Sequence, residues 1–492
     1  MSRLWKRERV SQFMKFAQRL AQLRCGHVVE LDPSVAATLE SSSPRRHPGI
    51  IQPKIIRLPE SLQKNISNVY REQRIPNLQL QASALANYLK SRKRPVENSD
   101  VREAARYYTE KLGYTDTSKL DPEEEKKIAT KVKNKLRKHL YHWKPISYDE
   151  KMCLVYLAAR MAPNYAAIFR VLYEIKRRLP GFQPSSVLDF GSGLGSSVWA
   201  VNSLFQESVK EYYCVDVSQA MHNLAERLLW KPQHKGENAD DLIIPGIYHR
   251  FFLPVSPKTT FDITISNNSL LEIQSHEERM KLLDILWNKT KDFLILIENG
   301  SLEGYYTLME ARNMILAKGQ NEVSFNPEWC KGEEGYVFAP CSHDVICPRL
   351  VKDNFRPCNF EQKYEPLHIP GTKSQVKETE RFSYLVLRKG SRPEGTVWPR
   401  VISEVLLRAR HRVCRLCHTD GNLREVIVTK KKHEKNIYRC VRYTQWGDML
   451  PVSRIESSSS EERKVREQSD DEMKDDSNED GDTDVELRDE ER

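Results

Sequence analysis

Three glycines at alternate positions follow a short apolar run, and an acid stands just before them. Gly191, Gly193 and Gly195 come after Asp189, which precedes the first glycine by two residues. Because glycine carries no Cβ, such a turn lets a ligand lie against backbone N–H groups at the start of a helix. A dinucleotide site would show G-x-G-x-x-G, but position 196 is Ser and the third glycine comes one residue early. The spacing G-x-G-x-G after an acid indicates S-adenosylmethionine (SAM) instead.

A second acid supports this interpretation. Asp216 ends the apolar run 211–216 and lies 21 residues beyond Gly195. An acid about 20 residues after a glycine turn is placed to accept hydrogen bonds from ribose hydroxyls. A glycine turn that holds no ligand stays open as the alternative. The predicted cofactor-binding residues are Asp189, Gly191, Gly193, Gly195 and Asp216.

Short apolar runs alternate with helical segments around the glycine turn. This alternation predicts an α/β fold, a doubly wound Rossmann-like sheet of the class I SAM-methyltransferase type with its ligand at the carboxyl ends of the strands. A long helix, interrupted at Pro163, leads into the first strand. The predicted strands are 186–190, 211–216, 247–252, 261–266, 293–298 and a late strand 382–387, and the predicted helices are 156–179, 221–230 and 276–289, with a further helix opening at 196.

The residues that would carry methyl transfer are missing from their usual places. The fourth strand is followed by Ser266-Asn267-Asn268-Ser269-Leu270, with no Pro-Pro-aromatic sequence to hold an exocyclic nitrogen. Neither the fourth nor the fifth strand ends in a cysteine that could act as the nucleophile of a cytosine-C5 enzyme. The third strand also ends without an acid. The sequence therefore predicts no catalytic residue, although Asn267 and Asn268 could still orient a base.

Charge is distributed unevenly along the chain. Residues 456–492 contain 17 acidic and 6 basic side chains, a net charge of −11. The other residues therefore carry about +21, which gives the whole chain its net charge of +10. A body this basic favours a polyanionic partner, with nucleic acid as the first candidate, and a generally solvated basic surface as the alternative. The acidic tail is of low complexity and is predicted to be disordered. No apolar run approaches the length of a membrane span.

The first residues of the chain are basic and amphipathic. Residues 1–29 contain seven Lys or Arg and one acid, with apolar side chains at roughly helical spacing. This composition predicts a mitochondrial presequence over 1–30 and localisation in the mitochondrial matrix, with an ordinary basic helix as the alternative. Residues 31–149 are predicted to form a helical, basic region, in which Asp121-Pro122 starts a lysine-rich helix.

Cysteines are concentrated in the last third of the chain, where no secretory signal favours disulfides. Cysteine spacing is C-x5-C-x10-C from Cys341, followed by a distant C-x2-C pair. A zinc ribbon would show two C-x2-C pairs, whereas three thiols from a loop and one from elsewhere suit an iron–sulfur cluster. Zinc, an iron–sulfur cluster and unliganded thiols all stay open on spacing alone, as do His343 and His418 as ligands. The seven late cysteines are Cys330, Cys341, Cys347, Cys358, Cys414, Cys417 and Cys440.

A basic hairpin is predicted from 425–429 and 437–443.

Several unrelated motifs occur together in one order between about residues 40 and 452. The chain resembles the mitochondrial methyltransferase-like protein 17 family, the assembly factors of the small mitoribosomal subunit. The motifs that carry the resemblance are Tyr156-Leu-Ala-Ala-Arg160-Met-Ala-Pro-Asn-Tyr165, the glycine strand 187–195, the Cys341/Cys347 loop, Trp398-Pro-Arg400, Cys414-Arg-Leu-Cys417 and Trp446-Gly-Asp448.

The resemblance implies more than the residues do by themselves. It implies a SAM-binding methyltransferase fold that bears a [4Fe-4S] cluster and binds small-subunit ribosomal RNA (rRNA) between head and body during maturation. Carried onto this chain, the cluster ligands are Cys341, Cys347, Cys358 and Cys417, with Cys414 as the alternative fourth ligand.

Together these observations predict five regions and one function. The regions are a presequence (1–30), a helical basic region (31–149), a methyltransferase-like domain (150–390) with a Cys-rich insertion near 330–370, a basic extension that completes the cluster site (391–455) and an acidic tail (456–492). The expected function is assembly of the mitochondrial small subunit, in support of mitochondrial translation, by a chain that is monomeric when free. The expected partners are small-subunit rRNA and ribosomal proteins, without methyl transfer. An active rRNA (cytosine) methyltransferase is the alternative, and the charge disfavours a metabolic methyltransferase.

Overall fold

The computed structural model of this 492-residue chain describes the parts of it that carry the predicted sites. The first 26 residues of the predicted presequence, Cys330 and the acidic tail beyond Ser457 lie outside the described residues. The described residues are 27–35, 39, 44–112, 114, 121–139, 143–231, 241–318, 332–351, 356–368, 377–395 and 397–457.

The described strands and helices are numbered here in chain order. The strands are β1 His27–Leu31, β2 Ser186–Phe190, β3 Glu211–Val215, β4 Ile247–Arg250, β5 Phe261–Asn267, β6 Thr290–Asn299, β7 Gly335–Ala339, β8 Phe360–Tyr364, β9 Glu378–Lys389, β10 Arg400–Val401, β11 Leu406–Leu407, β12 His411–Cys417, β13 Leu423–Thr429 and β14 Val452–Ser457. The helices are α1 Glu60–Glu72, α2 Leu78–Ser91, α3 Asn98–Lys111, α4 Pro122–His139, α5 Glu150–Arg178, α6 Ser196–Phe205, α7 Gln219–Leu229, α8 His276–Lys289, α9 Leu302–Leu316, α10 Pro348–Val351 and α11 Lys435–Tyr443.

The central sheet has the strand order β4-β3-β2-β5-β6-β9-β7, and β8 pairs with β9. Strands β2 to β6 pair in parallel, whereas β9 lies antiparallel between β6 and β7. The order reverses at β2, so a crevice opens beyond the carboxyl ends of β2 and β5, where such folds bind their ligands. The predicted doubly wound Rossmann-like α/β sheet is therefore confirmed. Strand β4 ends at Arg250, short of the predicted end at Phe252.

Helix α5 packs along the sheet and belongs to its largest apolar core. It runs without interruption from Glu150 to Arg178 with Pro163 inside it, so the predicted break at Pro163 is wrong. A proline there removes one backbone hydrogen bond, but burial of most of the helix surface offsets that loss. By length and composition α5 is also the one described helix that could cross a membrane, and 72% of its most apolar window is buried inside the protein.

The C-terminal extension forms a second apolar core with the first described strand. Strand β1 pairs antiparallel with β14, and its side chains pack with those of β12, β13 and α11. Val29, which falls in the predicted presequence, thus belongs to this core. The predicted hairpin is wrong in its second half, because β13 pairs with β12 and residues 435–443 form α11.

Candidate cofactor sites

The glycine turn has the backbone that its sequence requires. Gly191, Gly193 and Gly195 have φ angles of +69°, +49° and +75°, which L side chains rarely adopt. A Cβ on Gly191 would lie 2.0 Å from the Ser269 hydroxyl oxygen, whereas a Cβ on Gly193 would meet nothing within 4 Å. Gly193 therefore borders open space at the N-terminus of α6, which begins at Ser196.

Asp216 lies directly after β3 and contacts the glycine turn. Its Oδ2 accepts a hydrogen bond from the Gly193 N–H at 2.9 Å, and its Oδ1 accepts one from the Ser218 N–H at 2.9 Å. Each carboxylate oxygen has a further lone pair, so both can accept from a ligand hydroxyl as well. The structure thus brings together the two features that the sequence predicts for a nucleoside site.

Asp189 is buried beneath the same turn. Its side chain is 2% exposed, and neither carboxylate oxygen has a hydrogen-bond partner among the described residues. Burial raises the pKa of Asp189 to about 7, although the nearby Ser197 hydroxyl lowers it in part. Burial of a carboxyl group with so few polar contacts is costly, so the position is suited to a polar ligand.

Apolar side chains stand in solvent beyond the ends of β3 and β4. Val217 is 89% exposed and Phe252 is 80% exposed, with Phe251 beside it. Large apolar side chains this exposed often mark a ligand surface. In the sequence, the end of the predicted strand 247–252 is notable only because it lacks an acid. The exposure of Phe251 and Phe252 could not be derived from residue type alone.

The carboxyl ends of β5 and β6 open into a small cavity. Its cover comes from the N-terminal helices, since Leu89 of α2 and Arg92 just beyond that helix line it. Arg92 is 3% exposed, donates to the Lys144 carbonyl oxygen at 3.0 Å and pairs with Glu272 at 2.8 Å. The lining residues are Leu89, Arg92, Tyr148, Tyr156, Arg160, Asn268, Leu271, Glu272, Glu298 and Asn299.

The carboxyl ends of β5 and β6 form the reaction end of the sheet. Polar groups that line the cavity there form only some of the hydrogen bonds open to them. Glu298 is fully buried, and its Oε1 accepts from the Leu270 N–H at 2.9 Å while Oε2 has no partner among the described residues. Burial raises the pKa of Glu298 to about 8. Asn268 has a left-handed backbone, with φ +54°, and its amide donates to Asn164 at 3.3 Å. Sequence reasoning predicted a position for Asn268 here but missed Glu298.

The four predicted metal ligands surround a second, smaller cavity. Cys341 follows β7, Cys347 precedes α10, and Cys358 precedes β8. Cys417 reaches this cavity from β12, whereas Cys414 lies in the core formed with β1 and α11. Because residues three apart on a strand face opposite sides, only one thiol of this pair can line the cavity. The lining residues are Pro340, Cys341, Cys347, Pro348, Arg349, Cys358, Arg400, Ile402, Cys417 and Leu423.

Polar side chains surround the thiols, and of these only His343 was a candidate from the sequence. The Tyr305 hydroxyl lies 3.2 Å from the Cys347 sulfur, and the His343 Nε2 lies 3.3 Å from the Cys417 sulfur. Burial raises the pKa of the Cys341 thiol, while Arg312 opposes that change and also donates to the Val345 carbonyl at 2.8 Å. Tyr305 and Arg312 lie on α9, before the Cys-rich segment in the chain, so no local spacing could indicate them, whereas His343 lies in the Cys341/Cys347 loop itself.

The four cavity thiols do not form a site for a single metal ion. No group of three or more His, Cys, Asp or Glu side chains in the described parts of the chain could hold one metal ion. In a four-iron cluster each thiolate binds a different iron, so its ligands stand farther apart than the ligands of one ion. Burial raises the pKa of the Cys358 thiol to about 12, against the effect of Arg349. Metal binding would deprotonate these thiols.

A buried ion network connects α5 to the C-terminal extension beside this cavity. Glu174 is fully buried, and Arg400 donates to its Oε1 at 2.5 Å and to the Pro340 carbonyl at 2.8 Å. Burial alone would raise the pKa of Glu174, but Arg400, Arg178 and Arg170 hold it at about 2. The network thereby fixes the position of the residue that precedes Cys341.

A cationic surface lies on the extension at the exposed face of α11. Lys435, Arg439 and Arg442 follow one another at helical spacing, while the opposite face of the helix is buried. Arg45 and Arg442 lie over the Tyr443 ring, 5.2 and 5.7 Å from its centroid. Basic side chains around an aromatic ring are suited to nucleic-acid backbones and bases. We call this surface, formed by Arg45, Arg46, Lys435, Arg439, Arg442 and Tyr443, the basic platform.

Comparisons with known proteins agree with these features. The family model described as Mitochondrial small ribosomal subunit Rsm22 matches residues 150–451. The human ribosome assembly protein METTL17, mitochondrial, is 40% identical, with 89% of this chain and 91% of that protein covered. The ribosome assembly protein RSM22, mitochondrial, of Saccharomyces cerevisiae is 21% identical, with 60% and 66% covered.

Among solved structures, magnesium protoporphyrin IX methyltransferase (ChlM) from Synechocystis PCC 6803 with bound SAM is 12% identical. It covers 56% of this chain and 100% of its own, with a TM-score of 0.28. The fold assignment here rests on strand order and register rather than on this likeness. The relatives are mitochondrial proteins, which confirms the predicted localisation in the mitochondrial matrix. The chain belongs to the family of the mitochondrial small ribosomal subunit protein Rsm22, which includes human METTL17.

Proposed function

We propose that the protein assists assembly of the mitochondrial small ribosomal subunit by binding its rRNA, and that it does so without methyl transfer. One observation carries the second part of this proposal: buried side chains of the N-terminal helical region lie at the reaction end of the sheet. Arg92 and Leu89 cover the cavity at the ends of β5 and β6, and Arg92 is held there by Glu272 and Lys144. A nucleotide of an RNA chain would have to displace this cover before it could reach a methyl donor.

The assembly role is supported by the relatives and by charge. The human relative that covers most of this chain is named as a ribosome assembly protein. The basic platform and the lysine-rich helix α4 supply exposed cations, and phosphate contacts of this kind account for much of the affinity for nucleic acid. Ribosomal proteins of the assembling subunit are the other proposed partners, and the free protein is proposed to be a monomer.

SAM is the proposed ligand of the glycine turn. Asp189, Gly191, Gly193, Gly195 and Asp216 would hold it. The unpartnered Asp189 carboxyl supports this, as does the open space beside Gly193. When bound, SAM supplies an activated methyl group, but in this chain we propose that it acts as a structural ligand of the glycine turn. Asp216 would keep the turn in place through the Gly193 N–H whether or not the ligand is present.

A [4Fe-4S] cluster is the proposed occupant of the thiol cavity. Cys341, Cys347, Cys358 and Cys417 would be its ligands, because these four thiols line one cavity. When bound, the cluster supplies a cross-link between the Cys-rich segment and β12. Ligand binding of this kind contributes folding free energy, so the extension that carries the basic platform would depend on it.

The experiment that tests the function combines binding and transfer on the purified protein. Small-subunit rRNA fragments and radiolabelled SAM are added to the cluster-containing protein, and RNA binding, SAM binding and methyl incorporation are measured on the same sample. The proposal predicts RNA binding that weakens steeply with salt and no methyl incorporation. Methyl transfer into the RNA would contradict it.

An active rRNA (cytosine) methyltransferase is the second candidate. It is favoured by the unpartnered Glu298 carboxyl oxygen and by Asn268, which line the cavity at the usual reaction end. This candidate predicts that removing the cover with Arg92→Ala increases methyl transfer. If neither the wild-type protein nor that variant transfers a methyl group while both bind SAM, the second candidate is excluded.

A further inference from the structure

The cations of α11 are exposed and lack acidic partners. Lys435, Arg439 and Arg442 lie on one face of the helix, and no carboxylate of the described residues forms an ion pair with them. The acid nearest to them in sequence is Glu434, directly before the helix. This contrasts with Arg415 of β12, which pairs with Glu425 at 2.7 Å. The helix therefore presents a concentrated positive charge that nothing in the described structure neutralises.

The chain itself contains a segment of complementary charge next to this helix. Residues 456–492 carry 17 acidic and 6 basic side chains, a net charge of −11. This segment follows β14, and Ile455 of β14 shares an apolar core with Ile437 of α11. The acidic residues thus begin in the same structural unit as the basic platform. A chain of about 35 residues can extend to roughly 115 Å, so the platform is well within its reach.

We propose that residues 458–492 of the acidic tail dock on the basic platform and compete there with the phosphate backbone of RNA. Attachment to the same chain converts this into an intramolecular contact, for which effective concentrations reach the millimolar range. A weak, multivalent charge interaction is therefore sufficient to occupy the platform. RNA with enough phosphate contacts would displace the tail, whereas RNA that meets the platform alone would not. The competition, but not the docking, rests on the RNA-binding function proposed above.

The test of competition compares the full chain with a chain that ends at Ser457. A short fluorescein-labelled RNA of mixed sequence is the probe, and its dissociation constant is measured at low and moderate salt. Removal of the tail is expected to tighten binding roughly fivefold or more at low salt, with a smaller gain at higher salt. A synthetic peptide of residues 458–492, added to the shortened protein, is expected to displace the probe. Unchanged affinity after removal of the tail would overturn the proposal.

Matched charge variants localise the effect. In the platform variant Lys435→Gln, Arg439→Gln and Arg442→Gln are combined, and in the control Lys131→Gln, Lys133→Gln and Lys135→Gln remove the same charge from exposed positions of α4. Removal of the tail is expected to tighten RNA binding in the control variant but to change it less than about twofold in the platform variant. Equal gains in both variants would mean general repulsion by the tail, and would overturn docking on α11.

A direct measurement keeps docking separate from RNA binding. Carbodiimide joins carboxylates to contacting lysines, and mass spectrometry of the monomeric full chain without RNA then identifies the linked pairs. Links between Lys435 and residues 458–492 are expected, and their absence would overturn the proposal. If the links form but neither protein binds the RNA probe, docking is supported and the RNA-binding function fails instead.

Discussion

Two buried carboxylates in this protein have opposite surroundings. Glu174 is fully buried among three guanidinium groups, which hold its pKa at about 2. Asp189 is equally buried, but it lies near the Ser197 hydroxyl and the Asp216 carboxylate instead of guanidinium groups, and burial raises its pKa to about 7. The chain itself supplies the ionic partners of Glu174, and through Arg400 this carboxylate connects the sheet to the extension. The second carboxylate lies beneath the glycine turn, which is the proposed SAM site.

The cysteines divide in the same way. Cys414 and Cys440 lie in the apolar core of the extension, where a thiol packs as a small apolar side chain. Cys341, Cys347, Cys358 and Cys417 surround a cavity instead. Burial by itself therefore does not distinguish structural from functional groups in this protein.

Breaking the ion network of Glu174 is expected to have the largest effect on stability. Arg400→Gln would leave Glu174 with a buried negative charge and fewer partners, at a cost of about 3–5 kcal/mol in the free energy of unfolding. Chemical denaturation at neutral pH measures this cost. Arg415→Gln is the control, since it breaks an exposed pair with Glu425 and should cost about 0–1 kcal/mol. Similar losses in both variants would contradict the role given to the network.

Removing one cavity thiol is expected to have the next largest effect. Cys347→Ser should lose most of the bound iron and lower the melting temperature by roughly 5 °C, about 2 kcal/mol in a domain of this size. Cys414→Ser, a change in a thiol outside the cavity, should retain the iron. Iron content and visible absorption of the two purified variants measure the difference. Iron that stays bound in the first variant, or is lost in the second, would contradict the assignment.

Replacing the carboxyl group of Asp189 is expected to have a smaller effect of opposite sign. The pKa of Asp189 is about 7 in the folded protein against an ordinary 3.8, so stability present below pH 3.8 is lost as pH rises through 7. Asp189→Asn removes this loss and should stabilise the ligand-free protein at pH 8 by on the order of 1–3 kcal/mol. SAM affinity should fall in the same variant.

Denaturation of wild type and Asp189→Asn at pH 5.5 and pH 8 measures the difference. Because Glu298 titrates in the same direction in both proteins, only the difference between them reports on Asp189. Equal pH dependence of the two proteins would show that Asp189 has a partner that neutralises the effect of its burial.

The sequence predicts the sheet well because its signals are local. Asp189 and the glycines lie within seven residues, and apolar runs of strand length mark β2 to β6. The strand predicted over 437–443 is wrong, because Ile437 and Val441 are β-branched residues that favour strands but lie in α11. Their spacing with Cys440 is nevertheless helical, and burial of that face determines the outcome.

Contacts between distant segments could not be predicted in this way. Arg400 meets Glu174 across more than two hundred positions, and β1 pairs with β14 across almost the whole chain. For the same reason, spacing alone could not decide between Cys414 and Cys417 as the fourth predicted ligand. Strand alternation restricts the cavity to one of the two thiols, but only the position of β12 determines which one lines it.

The most direct measurement of the proposed function is rescue of small-subunit assembly in cells that lack this protein. Gly193→Arg fills the open space at the glycine turn, and Gly390→Arg is its control, because Gly390 also has a positive φ angle and open surroundings. Subunit assembly and methylation of small-subunit rRNA are measured together at matched protein levels. The account predicts that both variants restore assembly and methylation as the wild type does. Restoration by Gly390→Arg but not by Gly193→Arg would contradict it and favour methyl transfer.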